Sequence, residues 1–101
     1  MRPEVADLVR KGPLPSARHA GVAEVQAWQE AIEAVHPPLS DSEAEGLCRT
    51  LPADDDDCFG LAWAIVHLLE SAPNWSAALL RRSGLRGHWA RHLEQALCRR
   101  G

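Results

Sequence analysis

Apolar residues recur at steps of three and four along most of the chain, which is the spacing of one face of an α-helix. The segment near residues 20 to 35 shows this period clearly, and acidic residues occupy its opposite side. No segment alternates apolar and polar residues as a half-buried strand does. The pattern therefore predicts an all-α fold. The inward stripe of this segment consists of Val22, Val25, Trp28, Ile32 and Val35.

Start and stop signals divide the chain into about six short helices. Pro3 suits a first helical position, and Gly12 is a typical helix end. Ser40 and Glu43 stand three residues apart and predict a capping box, in which each side chain accepts a hydrogen bond from the other residue's backbone N–H. Asn74 is the predicted cap of a short fifth helix that ends at Gly84. The predicted helices cover about residues 3–11, 20–35, 40–51, 54–71, 74–83 and 87–99.

The helix over residues 54–71 is predicted to be the central element of a compact bundle. Its apolar residues surround most of the helix circumference, which is typical of a buried helix. We expect it to begin within the aspartates Asp54, Asp55, Asp56 and Asp57, because carboxylates in a first turn are stabilised by about 0.3 to 1 kcal/mol each at a surface. Gly60 then falls inside the helix.

Length and composition indicate a single globular domain over residues 1–101. Apolar residues make up 46% of the chain and charged residues 25%, which are ordinary values for such a domain. The longest apolar stretch, Cys58 to Leu69, is too short to cross a bilayer. The start, MRPEVADLVRKG, has charges where a signal peptide has an apolar core. We therefore expect a cytoplasmic protein with no membrane partner.

Charge is distributed unevenly along the chain. Residues 1–80 hold 13 acidic and 5 basic groups, whereas residues 81–101 hold 1 acidic and 6 basic groups. Nucleic-acid binding would place the basic groups on phosphates, with Trp75 or Trp89 stacking on bases. The strongly acidic remainder and the core spacing of the tryptophans argue against it. The basic residues are Arg81, Arg82, Arg86, Arg91, Arg99 and Arg100.

The aspartate run has three interpretations: a solvated helix start, an acidic docking surface or a metal site. A calcium loop needs alternating oxygen ligands, a glycine and a distal glutamate, and the residues after Asp54 do not supply that spacing. Helix capping accounts for one or two carboxylates only. Four adjacent like charges exceed that need, which motivates the docking hypothesis.

Histidines supply the candidates for enzymatic chemistry. His67 could act as a general base oriented by Glu70, but no nucleophile motif or glycine-rich phosphate loop accompanies it. We expect instead a partly buried His67 that is hydrogen-bonded to a neighbouring helix. His88 and His92 have the i, i+4 spacing of a shared metal ligand pair, yet no third ligand is evident. We expect no enzyme, no catalytic residue, no metal and no cofactor.

The stretch GLAWAIVHLLESAPNW, followed after a gap by HWARHLEQAL, resembles a segment of small helical modules in bacterial conflict-system proteins. The nearest group is the effector-associated domains, which are similar in architecture to death-fold adaptors. The resemblance covers about residues 54–97 and is carried by Glu70, Ala72, Pro73 and Trp75. It implies a death-fold-like, noncatalytic adaptor that couples a sensor to an effector through like-with-like contacts in bacterial defence or signalling.

The charge asymmetry suggests how such an adaptor would associate. One patch would be Asp54 to Asp57, and the other Arg81, Arg82, Arg86 and Arg91. Replacing Asp55 and Asp56 by Lys is then expected to abolish self-association without unfolding the domain. One alternative is an immunity or antitoxin-type protein that neutralises a basic partner. Another is a small metal-dependent enzyme that uses His67, His88 and His92.

Overall fold

Six α-helices make up most of residues 1–52 and 56–100, the part of the chain that the computed structural model describes. No strand occurs in that part, so the predicted all-α bundle is confirmed. The helices are α1 (Pro3–Lys11), α2 (Val22–Glu33), α3 (Asp41–Cys48), α4 (Leu61–Glu70), α5 (Ala77–Ser83) and α6 (His88–Arg100).

Helices α3 and α4 share the centre of the bundle. Helix α3 packs against α1, α4 and α5, while α2 packs against α1 and α4, and α6 packs against α5. Helix α2 and helix α5 therefore pack against different members of the centre, α2 against α4 and α5 against α3. Helix α4 contributes the largest apolar set to the core, which comprises Leu61, Ala62, Ile65, Val66, Leu68 and Leu69.

Several helix ends agree with the predicted signals. Helix α1 begins at Pro3 and ends before Gly12. The capping box of α3 is formed, because Ser40 Oγ accepts a hydrogen bond from the Glu43 backbone N–H at 3.3 Å and Glu43 Oε1 accepts one from the Ser40 N–H at 2.9 Å. Gly84 ends α5 with φ of 76°, a left-handed conformation that glycine adopts without steric cost.

Two predicted helix starts are wrong by a few residues. Ser76, not Asn74, caps α5, and its Oγ accepts a hydrogen bond from the Leu79 N–H at 3.4 Å. Asn74 instead donates to Asp41 at 3.5 Å. Helix α2 starts at Val22 rather than Ala20, and Val22 is exposed although the stripe placed it inward. Residues 22–24 in its first turn are exposed, whereas Trp28, Ile32 and Val35 are buried in the core.

The expected start of the fourth helix within the aspartates is also wrong. Helix α4 begins at Leu61, and Cys58, Phe59 and Gly60 precede it with φ values of 46°, 57° and 89°. Three consecutive left-handed residues cannot belong to a right-handed helix. Gly60 is therefore the N-cap of α4 and not an interior position. Asp54 and Asp55 lie outside the described residues.

Candidate functional site

Asp56 holds the turn before α4 in place. Its Oδ1 accepts a hydrogen bond from the Cys58 N–H at 2.8 Å, and its Oδ2 accepts one from the Ala17 N–H at 2.9 Å and one from the Ser16 hydroxyl at 3.3 Å. These bonds, led by the one from Ala17, lower the pKa of the Asp56 carboxyl. Asp56 thus ties the loop between α1 and α2 to the turn, and its replacement by Lys would disturb the turn as well as the surface charge.

The turn points two neighbouring side chains in opposite directions. Cys58 is fully buried, whereas 66% of Phe59 is exposed. Left-handed conformations of residues other than glycine cost on the order of 1 kcal/mol or more each, and such strain clusters at functional sites. The chain therefore carries strain at the point where it presents a phenylalanine to solvent.

Two shallow apolar grooves flank Phe59 along α2. One, of about 200 Å³, is lined by Ala20, Val22, Val25, Gln26 and Phe59 itself. The other, of about 230 Å³, continues along α2 past Ile32 to Leu61 and Ala64 on α4. Val22 is 78% exposed, so two large apolar side chains stand open to solvent here. We call Val22, Val25, Gln26 and Phe59 the Phe59 surface.

Several carboxylates lie near the Phe59 surface. Burial raises the pKa of the Cys58 thiol, and the negative charges of Asp56, Glu24 and Asp57 raise it further. Glu24 and Asp57 are both exposed. Since their charges act on Cys58, which is next to Phe59 in the chain, both lie near the turn. The Phe59 surface thus has an apolar centre and an acidic rim, an arrangement that protein interfaces share.

The predicted basic patch divides into free and paired arginines. Arg81, Arg86 and Arg91 are exposed and form no ion pair with any described residue. Arg82 differs, because its Nε lies 2.7 Å from Glu45 Oε1. This distance is that of an ion pair, but the two groups are not aligned for a hydrogen bond. Part of the charge of Arg82 is therefore balanced within the chain.

A groove between α5 and α6 lies among the free arginines. It has a volume of about 190 Å³ and is lined by four apolar residues together with Arg81 and Glu94. Arg86 follows one of the lining residues, Leu85, and Arg91 follows another, Ala90. We call this feature the α5–α6 groove. Its apolar lining consists of Ala77, Leu80, Leu85 and Ala90.

The histidines do not form the site that the enzyme hypothesis requires. His67 is exposed on α4, so the expected partly buried position is wrong. The ring of His92 packs edge-on against Trp63 at 4.9 Å, and that of His88 against Trp89 at 5.2 Å. Within residues 1–52 and 56–98, no group of three or more His, Cys, Asp or Glu side chains is arranged to hold a metal ion.

The tryptophans weighed as stacking platforms for nucleic acid belong to the core. Trp89 is 1% exposed and Trp75 is half-buried. Trp63 on α4 packs against Trp89 at 5.0 Å and remains partly exposed. The ring of Trp89 is therefore not available to stack on bases.

Sequence reasoning missed Phe59 and the α5–α6 groove, and it placed the exposed Val22 in the core. The apolar run that contains Phe59 predicts a helix interior. The signal that could have found it is Gly60, since glycine directly before an apolar helix often marks a positive φ. The groove depends on how two helices pack, and no local pattern encodes it.

Comparison of the chain with protein family models, curated proteins and solved structures gave no match. None of the helices in the described part combines the length and apolar character that a bilayer crossing needs. The two surfaces are therefore the features from which a function can be inferred.

Proposed function

We propose that this chain is a noncatalytic protein–protein interaction domain. It acts as an adaptor that associates with a second copy of itself or of a similar domain. Its place is between a sensor and an effector in a bacterial defence or signalling system, as the resemblance over residues 54–97 implies. The observation that carries the proposal is the exposure of Phe59 on a turn whose backbone is strained.

An exposed aromatic ring on a fixed turn is well suited to binding. Removing apolar surface from water contributes about 25 cal/mol per Å² before the costs of association are subtracted. Ordering a mobile loop on binding would offset part of that gain. Here the hydrogen bonds of Asp56 to Cys58 and Ala17 already hold the turn, so little further ordering of the Phe59 surface is required.

Charge supports association between copies. The acidic rim around Phe59 lies on α2 and just before α4, whereas the free arginines lie on or between α5 and α6. Opposite charges on separate surfaces of one chain favour head-to-tail contact, and they steer encounter between copies. Such contacts are weakened by salt, because exposed charges are screened over about 10 Å at 0.1 M ionic strength.

Light scattering after size exclusion tests the proposal directly. We expect a mass that rises with protein concentration and falls as sodium chloride is raised from about 0.05 to 0.5 M. The variant Arg10→Glu reverses an exposed charge on α1 that lines neither surface, although it also removes the ion pair of Arg10 with Asp7. It should assemble like the natural chain. A salt-independent monomer at every concentration would contradict homotypic association.

A second candidate is an immunity or antitoxin-type protein that binds a basic partner. The acidic rim formed by Glu24 and Asp57 around an apolar centre favours this reading over an enzyme. It differs from the first proposal because the chain alone would remain monomeric. The same scattering experiment separates the two, and capture of a basic protein by a monomeric chain would support the second.

A further inference from the structure

We infer that Phe59 of one copy docks into the α5–α6 groove of a second copy. This inference rests on the proposed homotypic function and specifies its two contact surfaces. The first is the Phe59 surface with its acidic rim, and the second is the groove with its surrounding arginines.

Shape supports this pairing. Phe59 projects from a turn, with 66% of the residue exposed, while the α5–α6 groove is a concave feature of about 190 Å³. The apolar side chains that line the groove include Ala77 and Ala90, whose small size leaves space between the two helices. An aromatic ring is therefore a suitable occupant, and its burial would remove apolar surface of both copies from water.

Charge supports the same pairing. Asp57 is two residues before Phe59, so a docked ring brings this carboxylate to the edge of the groove. Arg81 lines that groove. Exposed Arg86 and Arg91 are not part of the lining, so Arg81 is the cation that the groove itself supplies. Glu94 is the acidic residue in the lining and opposes the attraction.

A symmetric contact between two Phe59 surfaces is disfavoured by the same charges. It would bring Glu24 and Asp57 of one copy against Glu24 and Asp57 of the other, and like charges in an interface are strongly unfavourable. The Phe59 side chain, which is the knob of this contact, lies beside α2, whereas the groove lies between α5 and α6. The contact is therefore heterologous, and repetition of it produces a ring or an open filament.

Two variants with complementary defects test the contact. Phe59→Ser removes the knob and leaves the groove, whereas Arg81→Glu reverses the charge of the groove and leaves the knob. Both positions are exposed, so each variant should keep the fold, which circular dichroism would verify. We expect each variant alone to be monomeric. An equimolar mixture should form a one-to-one heterodimer, because one intact knob and one intact groove remain.

The outcomes separate this inference from the proposed function. A monomeric natural chain would overturn both. Assembly of the natural chain that is unchanged in Phe59→Ser would overturn the docking of Phe59 while leaving homotypic association in place. Two monomeric variants whose mixture also remains monomeric would overturn the head-to-tail pairing. Arg10→Glu serves as the control for charge reversal in every measurement.

Discussion

Arg2 surrounds the carboxylate of Glu43 with three hydrogen bonds. The Arg2 Nε donates to Oε2 at 2.9 Å, Nη2 to Oε1 at 3.3 Å and the backbone N–H to Oε2 at 3.1 Å. The same guanidinium donates to the carbonyl oxygens of His36 at 2.7 Å and Pro38 at 3.1 Å. Since Glu43 also closes the capping box of α3, this pair joins the N-terminus, the end of α2 and the start of α3.

Acid should destabilise the domain through Glu43. The hydrogen bond from Arg2, more than those from Ser40, lowers the pKa of Glu43 from 4.5 to about 2. A lowered carboxyl pKa gives stability that is fully present above the unfolded value and is lost as the pH falls from about 5 towards 2. The loss should be at most about 3 kcal/mol of unfolding free energy. Urea unfolding between pH 7 and pH 2.5 measures it.

Glu43→Gln is the matched control for that pH dependence. It keeps the size of the side chain but removes the charge, so the variant should be less stable than the natural chain at pH 7 by about 2 kcal/mol. The difference between the two proteins should shrink as the pH falls through the window above. A difference that is constant from pH 7 to pH 2.5 would mean that Glu43 does not carry the acid sensitivity.

Phe59→Gly should stabilise the folded domain while it abolishes assembly. Glycine adopts a φ of 57° without steric cost, so the unfolding free energy should rise by up to about 1 kcal/mol. Gly60 has φ of 89°, so Gly60→Ala should lower the unfolding free energy by a similar amount. Thermal unfolding and light scattering together check both variants. A Phe59→Gly chain that is destabilised by more than about 1 kcal/mol would mean that the ring has a structural role.

Glu94→Gln should strengthen association. Glu94 lines the α5–α6 groove beside Arg81, so its charge repels an incoming acidic rim. Its removal is expected to lower the association Kd by a few-fold, measured by sedimentation at about 0.1 M salt, where attraction between exposed charges persists. Glu30→Gln on α2 makes the same charge change at another exposed position. Equal effects of the two substitutions would indicate a response to net charge rather than to the groove.

The three thiols should react at very different rates. Burial raises the pKa of Cys48 to about 11, and it also raises that of Cys58, whereas Cys98 is exposed. The thiolate is the reactive form, and at pH 7 a thiol of pKa 11 holds about one part in ten thousand of it. A thiol reagent should therefore label Cys98 first. Rapid labelling of Cys48 in the folded domain would contradict the burial of α3.

Local chemistry explains which features the sequence could predict. Pro3, Gly12 and the Ser40–Glu43 box all act within a few residues, so their effects on α1 and α3 could be predicted correctly. Asp56 could not be placed in the same way, because its bonds to Ser16 and Ala17 cross 40 and 39 residues of chain. A local pattern predicts a helix start at such an aspartate.

The candidate site could be predicted less completely than the helices, because it depends more on tertiary packing. The arginines of α5 and α6 could be proposed from charge alone, but the pairing of Arg82 with Glu45 depends on the contact between α3 and α5. Phe59 lies within an apolar run, so the local pattern predicts burial for it and not exposure. Its exposure follows from the left-handed turn, which is fixed partly by a loop that lies far away in the chain.

The hydrogen bonds of Asp56 make that loop part of any binding event at Phe59. Ser16 and Ala17 hold the same carboxylate that orders Cys58, so the free energy of closing the loop and that of docking the ring are linked. Thermodynamic reciprocity then requires that docking favour the ordered state of residues 16 and 17 by the same factor by which their ordering strengthens docking. In the proposed assembly, substitutions in the segment between α1 and α2 are expected to change the association Kd without any contact with the partner.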